Sequence, residues 1–394
     1  MRKKFVIGLA FFSALAVSCS SDDDGGSGIE IPAVESASID IPSGGSTQPN
    51  QVYIDLSTKE TTVVRRDKWE IGFYSGNQNR VLLNSSLLVS AAELVGYTDI
   101  DAITEDSVLE EPLELESLNI GDFKAYPVTV TTVGELMEGL PLDYGMYGNP
   151  ETGYSLTDAP QGGLEGTAIA PVSSNPEENF VHLVSLGKEI PTEDAELGAV
   201  NTTGEHRGIY KIRVVMDGDT YVMQYAPFES DTHQEVRINK DENFNLIAFS
   251  FTDGTIVDVE PPKGDWDINF TSVYSFYGVM GNMYAGMAYS DFAVHNTLNG
   301  VGVYTLETDG EGEDATDIAF ADFTKEDVSQ SAFEYDDRRL IGSEWRSTSD
   351  GVYPNRFYVV KDTDGNLYKM RFTSMLSDSG ERGYPQIEYV LLSE

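Results

Sequence analysis

The chemistry beyond packing in this 394-residue chain rests on four histidines and a cluster of methionines. His182, His206, His233 and His295 stand more than four positions from one another. The His-x-His and His-x-x-x-His spacings that would hold a metal ion are therefore missing. His295 is set apart by its surroundings: Met280, Met283 and Met287 precede it, interleaved with Phe276, Tyr277, Tyr284 and Tyr289. Imidazole and thioether both ligate haem iron, and aromatic rings can cover a porphyrin. His295 and Met283 form the candidate axial pair, with Met280 and Met287 as open alternatives. The competing reading makes these side chains β core and His295 a satisfied loop residue.

Other chemistries have less to stand on. Asp362-x-Asp364-Gly365 and the run Asp309-Gly310-Glu311-Gly312-Glu313-Asp314 carry oxygens that calcium favours. The first lacks the distal acid of a binding loop and reads as a hairpin turn; the second reads as a solvated loop. The sequence contains no Gly-x-Ser-x-Gly, no phosphate-cradling loop and no zinc-peptidase helix motif, so a non-enzymatic protein is expected.

The elements that must position these residues occur twice. Trp69-Glu70-Ile71-Gly72-Phe73 matches Trp266-Asp267-Ile268-Asn269-Phe270, and each alternates with the period of a half-buried strand. Upstream of each lies a second apolar run, Tyr53-Ile54-Asp55-Leu56-Ser57 and Ala248-Phe249-Ser250-Phe251-Thr252. Downstream lie Asn84-Ser85 and Asn296-Thr297. Tyr210 to Tyr225 and Phe357 to Phe372 align without a gap around Asp217-Gly218 and Asp364-Gly365, where Asp-Gly favours a hairpin turn. The spacing places about 50 extra residues within 113–200 of the first copy. The Gly- and Tyr-rich run 142–166 reads as a long irregular loop, functional or disordered. Short helical turns are expected at Ser86–Leu94, Ser117–Phe123 and Val133–Glu138.

The chain start predicts where the protein resides. Arg2, Lys3 and Lys4, the apolar run Phe5–Val17 and the small residues before Cys19 have the form of a secretion signal ending in a lipobox. Cys19 is the sole cysteine, which excludes an internal disulfide and suits lipidation. The acidic and Gly-Ser-rich segment after it reads as a tether, with residues 1–18 as signal peptide and 19–50 as anchor and tether. With 66 acidic against 25 basic residues, nucleic acid is excluded as a partner. The abundance of Tyr and Phe in short punctuated runs indicates an all-β, mostly antiparallel fold in two tandem domains, 51–241 and 242–394. A 243–394 fragment is expected to fold alone.

The second copy has a Trp-Asp-Ile-x-Phe strand, Asn296-Thr297, Glu344-Trp345-Arg346, Tyr353-Pro354, the Phe357–Phe372 hairpin and the terminal run Ile387–Leu392. In this order it resembles the HmuY family; the first copy does so more loosely. The acidic run after Cys19 likewise resembles the export signal of Bacteroidota surface lipoproteins. The resemblance implies a β-rich lipoprotein on the outer membrane, with haem capture and delivery to a TonB-dependent receptor. The alternative is a protein- or polysaccharide-binding accessory that takes no haem.

Overall fold

The computed structural model describes residues 33–119, 124–140, 146–147, 156–279 and 283–393. Cys19 and residues 1–18, read from the sequence as a signal peptide, lie outside the described residues. The described chain is β-rich, with one α-helix, α1 (Val133–Gly139). Thr132 and Glu135 close a reciprocal capping box at its start, as the sequence of that turn predicts.

The first copy carries a five-stranded antiparallel sheet in the order β13 (Gln234–Asn239), β12 (Thr220–Pro227), β11 (Ile209–Asp217), β10 (Val181–Ser185), β6 (Ser90–Leu94). The second carries a six-stranded sheet, antiparallel except for its last pair: β1 (Ser36–Asp40), β24 (Arg382–Leu391), β23 (Leu367–Leu376), β22 (Arg356–Lys361), β18 (Gly302–Thr308), β19 (Ala315–Thr316). The Asp-Gly turns join β11 to β12 and β22 to β23, with Gly218 and Gly365 in the left-handed region the turns require. A long hairpin, β7 (Val108–Asn119) with β8 (Lys124–Thr132), pairs with the short β9 (Met146–Tyr147).

Two further sheets are mixed in origin. In one, β15 (Thr255–Val257) and β14 (Leu246–Ser250) of the second copy pair onto β4 (Ile71–Tyr74) and β5 (Val81–Leu83) of the first. In the other, β2 (Asn50–Ile54) and β3 (Thr61–Arg65) of the first copy pair onto β16 (Ile268–Val279) and β17 (Met283–His295) of the second. A last two-residue ladder joins β20 (Arg346–Ser347) to β21 (Gly351–Val352). Each copy thus lends its leading hairpin to the other.

Side-chain alternation explains why the exchange holds. Val52, Ile54 and Leu56 are buried in the second copy's core, beside Phe270, Trp345 and Tyr358. Phe249 and Phe251 are buried in the first copy's core, beside Phe73, Val184 and Tyr221. The opposite faces, at Tyr53 and Ala248, meet Trp266 and Trp69 in a shared cluster. Tyr53 packs edge-on to Trp266 with centroids 5.1 Å apart. Each such burial contributes roughly 1.5–3 kcal/mol.

One carboxylate per copy fastens the borrowed strand. Glu70 Oε2 accepts the Phe251 N–H at 2.7 Å, while the Glu70 N–H donates to Phe249 O at 3.1 Å. Asp267 Oδ2 accepts the Leu56 N–H at 2.9 Å, and the Asp267 N–H donates to Ile54 O at 2.8 Å. Both side chains are buried, but only Glu70 is neutralised, by Arg207 at 2.6 Å. Burial first, then Asp362, Asp55 and Asp364, push Asp267 up to about 8. The Asn residues downstream act in parallel. Asn84 Nδ2 donates to Arg66 O and Trp69 O, and Asn296 Nδ2 to Lys263 O and Trp266 O, so each pins the approach to its Trp strand.

Several expectations are corrected. Ser117–Asn119 belongs to β7, and Ser86–Leu94 holds a single 3-10 turn followed by β6 rather than a helix, because cross-strand pairing with β10 decides its conformation. Residues 36–50 are not tether: Ser36–Asp40 pairs with β24 along its whole length, and Ile39 and Ile41 enter the second core. The boundary at 241/242 divides the repeat in sequence but cuts through two sheets in space.

A 243–394 fragment therefore lacks the partners of β16 and β24 and is expected to give a broad, non-cooperative melt by circular dichroism. Adding the 33–242 fragment should restore a sharp one, and a cooperative melt of 243–394 alone would contradict the exchange. Asp267 yields a second prediction. Its folded-state pKa lies far above the ordinary value near 4, so folding takes up a proton and stability falls as pH rises from about 4 to 8. Asp267→Asn keeps an acceptor for Leu56 and should flatten the fall in melting temperature between pH 6.5 and 8. Parallel wild-type and variant curves there would show that Asp267 is already ionised when folded.

Candidate functional site

His295 closes β17, opposite Ile268, with its backbone N–H donating to Arg338 O at 3.3 Å. Its side chain is 2% exposed, and neither ring nitrogen has a hydrogen-bond partner in good geometry. Burial lowers its pKa to about 4, against the smaller opposing pull of Asp337 and the nearby backbone of Glu334 and Arg338. It is a neutral, buried imidazole at physiological pH. Met283 opens the same strand, and its side chain, those of Phe276, Tyr277, Tyr284 and Met287, and all of Met280 lie outside the described residues. The two candidate ligands occupy the two ends of the 13-residue β17, about 40 Å of extended chain apart. Axial ligands must face each other across one iron, and the described backbone sets His295 and Met283 at opposite ends of one strand.

The remaining histidines are engaged elsewhere. His182 is buried, its pKa lowered to about 4 by burial, with Nδ1 3.1 Å from Phe180 O. His206 Nε2 lies 2.9 Å from Ser185 Oγ, and His233 Nδ1 2.9 Å from Asp101 Oδ2. The Asp362 carboxylate accepts both the backbone and side-chain N–H groups of Asn366 at 2.7 Å, which is the bonding of a tight turn.

The structure instead brings together an open cleft of about 700 Å³ between the two copies. One wall is the segment 159–166, the end of the long irregular run anticipated at 142–166, with Tyr74 at the end of β4 and Gln78 beside it. The other wall is Thr297 and Leu298, which follow the Asn296 cap, together with Tyr335 and Asp336. Of these residues only Thr297 belongs to a motif the sequence singles out; Tyr74, Gln78, Tyr335 and Asp336 come from segments distant in sequence and carry no spacing signal.

The walls are fixed from behind. Arg338 of the second copy donates through its backbone N–H to Gln161 O and through Nε to Pro160 O, both at 3.0 Å. The buried Asp158 accepts the N–H groups of Leu83 and Ala168 at 2.7 and 2.9 Å. Burial raises its pKa to about 6 in spite of those bonds and of the Arg338 charge. Arg80 reaches Gln78 Oε1 at 3.0 Å and Glu165 Oε2 at 3.3 Å, orienting two polar groups of the first wall. Both tyrosines lie against glycine backbone. A Cβ on Gly76 would sit 2.4 Å from the Tyr74 ring, and one on Gly302 would sit 2.5 Å from the Tyr335 ring.

A family model described as HmuY protein matches residues 47–181 and 219–389. The chain belongs to the HmuY family. The two matched regions are two tandem HmuY-like domains, and the exchanged hairpins cross between them. No curated protein and no solved structure matches the chain. HmuY proteins form a family of binding proteins rather than enzymes, typically surface lipoproteins, and the family is known for haem binding. Among the described residues, the lining of the cleft includes no histidine and no methionine.

Proposed function

We propose that this HmuY-family chain is a lipid-anchored capture protein on the outer face of the outer membrane. It holds its ligand in the cleft between its two domains without changing it chemically. The observation that carries this reading is the cleft itself: it takes walls from both copies, and Arg338, Arg80 and Asp158 hold those walls in place before any ligand arrives. A pocket of 300–1,000 Å³ with a few fixed polar groups is the usual form of a small-ligand site. Preorganisation of this kind reduces the ordering cost of binding. The Cys19 lipobox and the acidic residues after it support anchorage and surface display, and the family supports handover to a TonB-dependent receptor.

Haem is the second reading, and family membership favours it. The described lining of the cleft does not fit the group, since it holds no histidine or methionine, and His295 is enclosed. The acidic excess also repels a porphyrin's propionates.

Two experiments test these readings. Cys19→Ala should release the protein from washed outer membranes, because stable anchoring needs the acyl chains that this residue carries. Retention of the variant at wild-type level would remove the anchor. Titration of residues 20–394 with haemin is expected to leave the free-haemin Soret band unshifted. A sharpened, shifted band would make haem capture the function, and its survival in His295→Ala would direct attention to the methionines at 280, 283 and 287.

A further inference from the structure

We infer that the ligand of the interdomain cleft is a neutral glycan chain, held by two tyrosines on opposite walls and two carboxamides on the first wall. This rests on the capture reading and gives it a ligand class. Tyr74 and Gln78 on one wall and Tyr335 on the other, with Gln161 in the 159–166 segment, combine flat apolar faces with groups that both donate and accept. A pyranose has the matching character: a C–H face that covers an aromatic ring and a rim of hydroxyls that each need a donor and an acceptor. The tyrosine rings lie against Gly76 and Gly302, so their faces are positioned without ordering flexible side chains on binding.

Charge narrows the class. Among the described residues Glu165 and Asp336 line the cleft and no lysine or arginine does, and Arg80 behind it is already paired with Glu165, so an anionic ligand meets repulsion. A metal cation is not favoured either, since no group of three acidic, His or Cys side chains able to hold one gathers among the described residues. An apolar ligand would leave the amides and carboxylates without partners, which costs binding energy. The cleft is open rather than enclosed, so a chain longer than the site can lie through it.

Gly163 offers a clean way to fill the cleft. It has φ −71 and ψ 160, which any residue adopts, and a Cβ built on it meets nothing within 4 Å. Gly163→Trp therefore adds bulk to the site without backbone strain. Residues 20–394 are titrated calorimetrically with neutral hexasaccharides of glucose, xylose, mannose and galactose, and with hexagalacturonate. The expected result is saturable binding of at least one neutral chain and none of hexagalacturonate. Gly163→Trp should weaken that binding by about tenfold or more with an unchanged melting temperature. Tyr335→Ala serves as the second variant and should weaken it as well. Absence of binding to every neutral chain, or binding indifferent to both variants, overturns the proposal. Native mass spectrometry of protein released from outer membranes separates the two levels. A bound molecule of another class that Gly163→Trp removes would overturn the glycan and keep the capture site. No variant-sensitive molecule at all, with no glycan bound, would remove both.

Discussion

The structure depends on two buried carboxylates, each of which accepts a backbone N–H from a strand belonging to the other domain. Glu70 holds Phe251 and Asp267 holds Leu56. Without these bonds the borrowed hairpins would leave N–H groups buried and unpaired at the start of each Trp strand, a cost of roughly 1–3 kcal/mol apiece. The two sites are equivalent in position and unequal in electrostatics. Glu70 is offset by Arg207, while Asp267 sits among Asp55, Asp362 and Asp364 and favours its proton. The duplicated fold therefore retained its clasp in both copies while the ionic surroundings of the two diverged.

The cleft follows from that arrangement. Exchange of hairpins fixes one domain against the other, and Arg338 of the second reaches the 159–166 segment of the first. The resulting site is a joint property of the pair, since neither copy supplies both walls.

Much of the fold was legible in the residues. The Trp strands, the Asp-Gly hairpins and the Asn pairs report local conformation, and local conformation is what alternation and turn chemistry encode. The exchange was not legible, because period two says that Val52, Ile54 and Leu56 face a core but not whose core it is. The helical expectation at Ser117–Asn119 and the tether at 36–50 failed for the same reason: strand pairing overrode weak local preference. His295 and Met283 show the same limit, because closeness in sequence, within an extended strand, is distance in space. The cleft was half visible, as an unexplained glycine-rich run, and on its far wall only Thr297 belonged to a pattern.

The pairing of Ser36 with Val390 has a consequence for how the chain reaches this state. Almost the entire polypeptide must emerge before its first strand can find a partner, and the leading hairpin must wait for residues beyond 268. Contacts so distant in sequence slow folding and prolong the exposure of unpaired edges. During synthesis, the first two hundred residues carry a hairpin whose partner has yet to arrive. The rate at which this protein matures is thus set by its tail, and a truncation of a few C-terminal residues would be felt first at β1, the strand that pairs with β24.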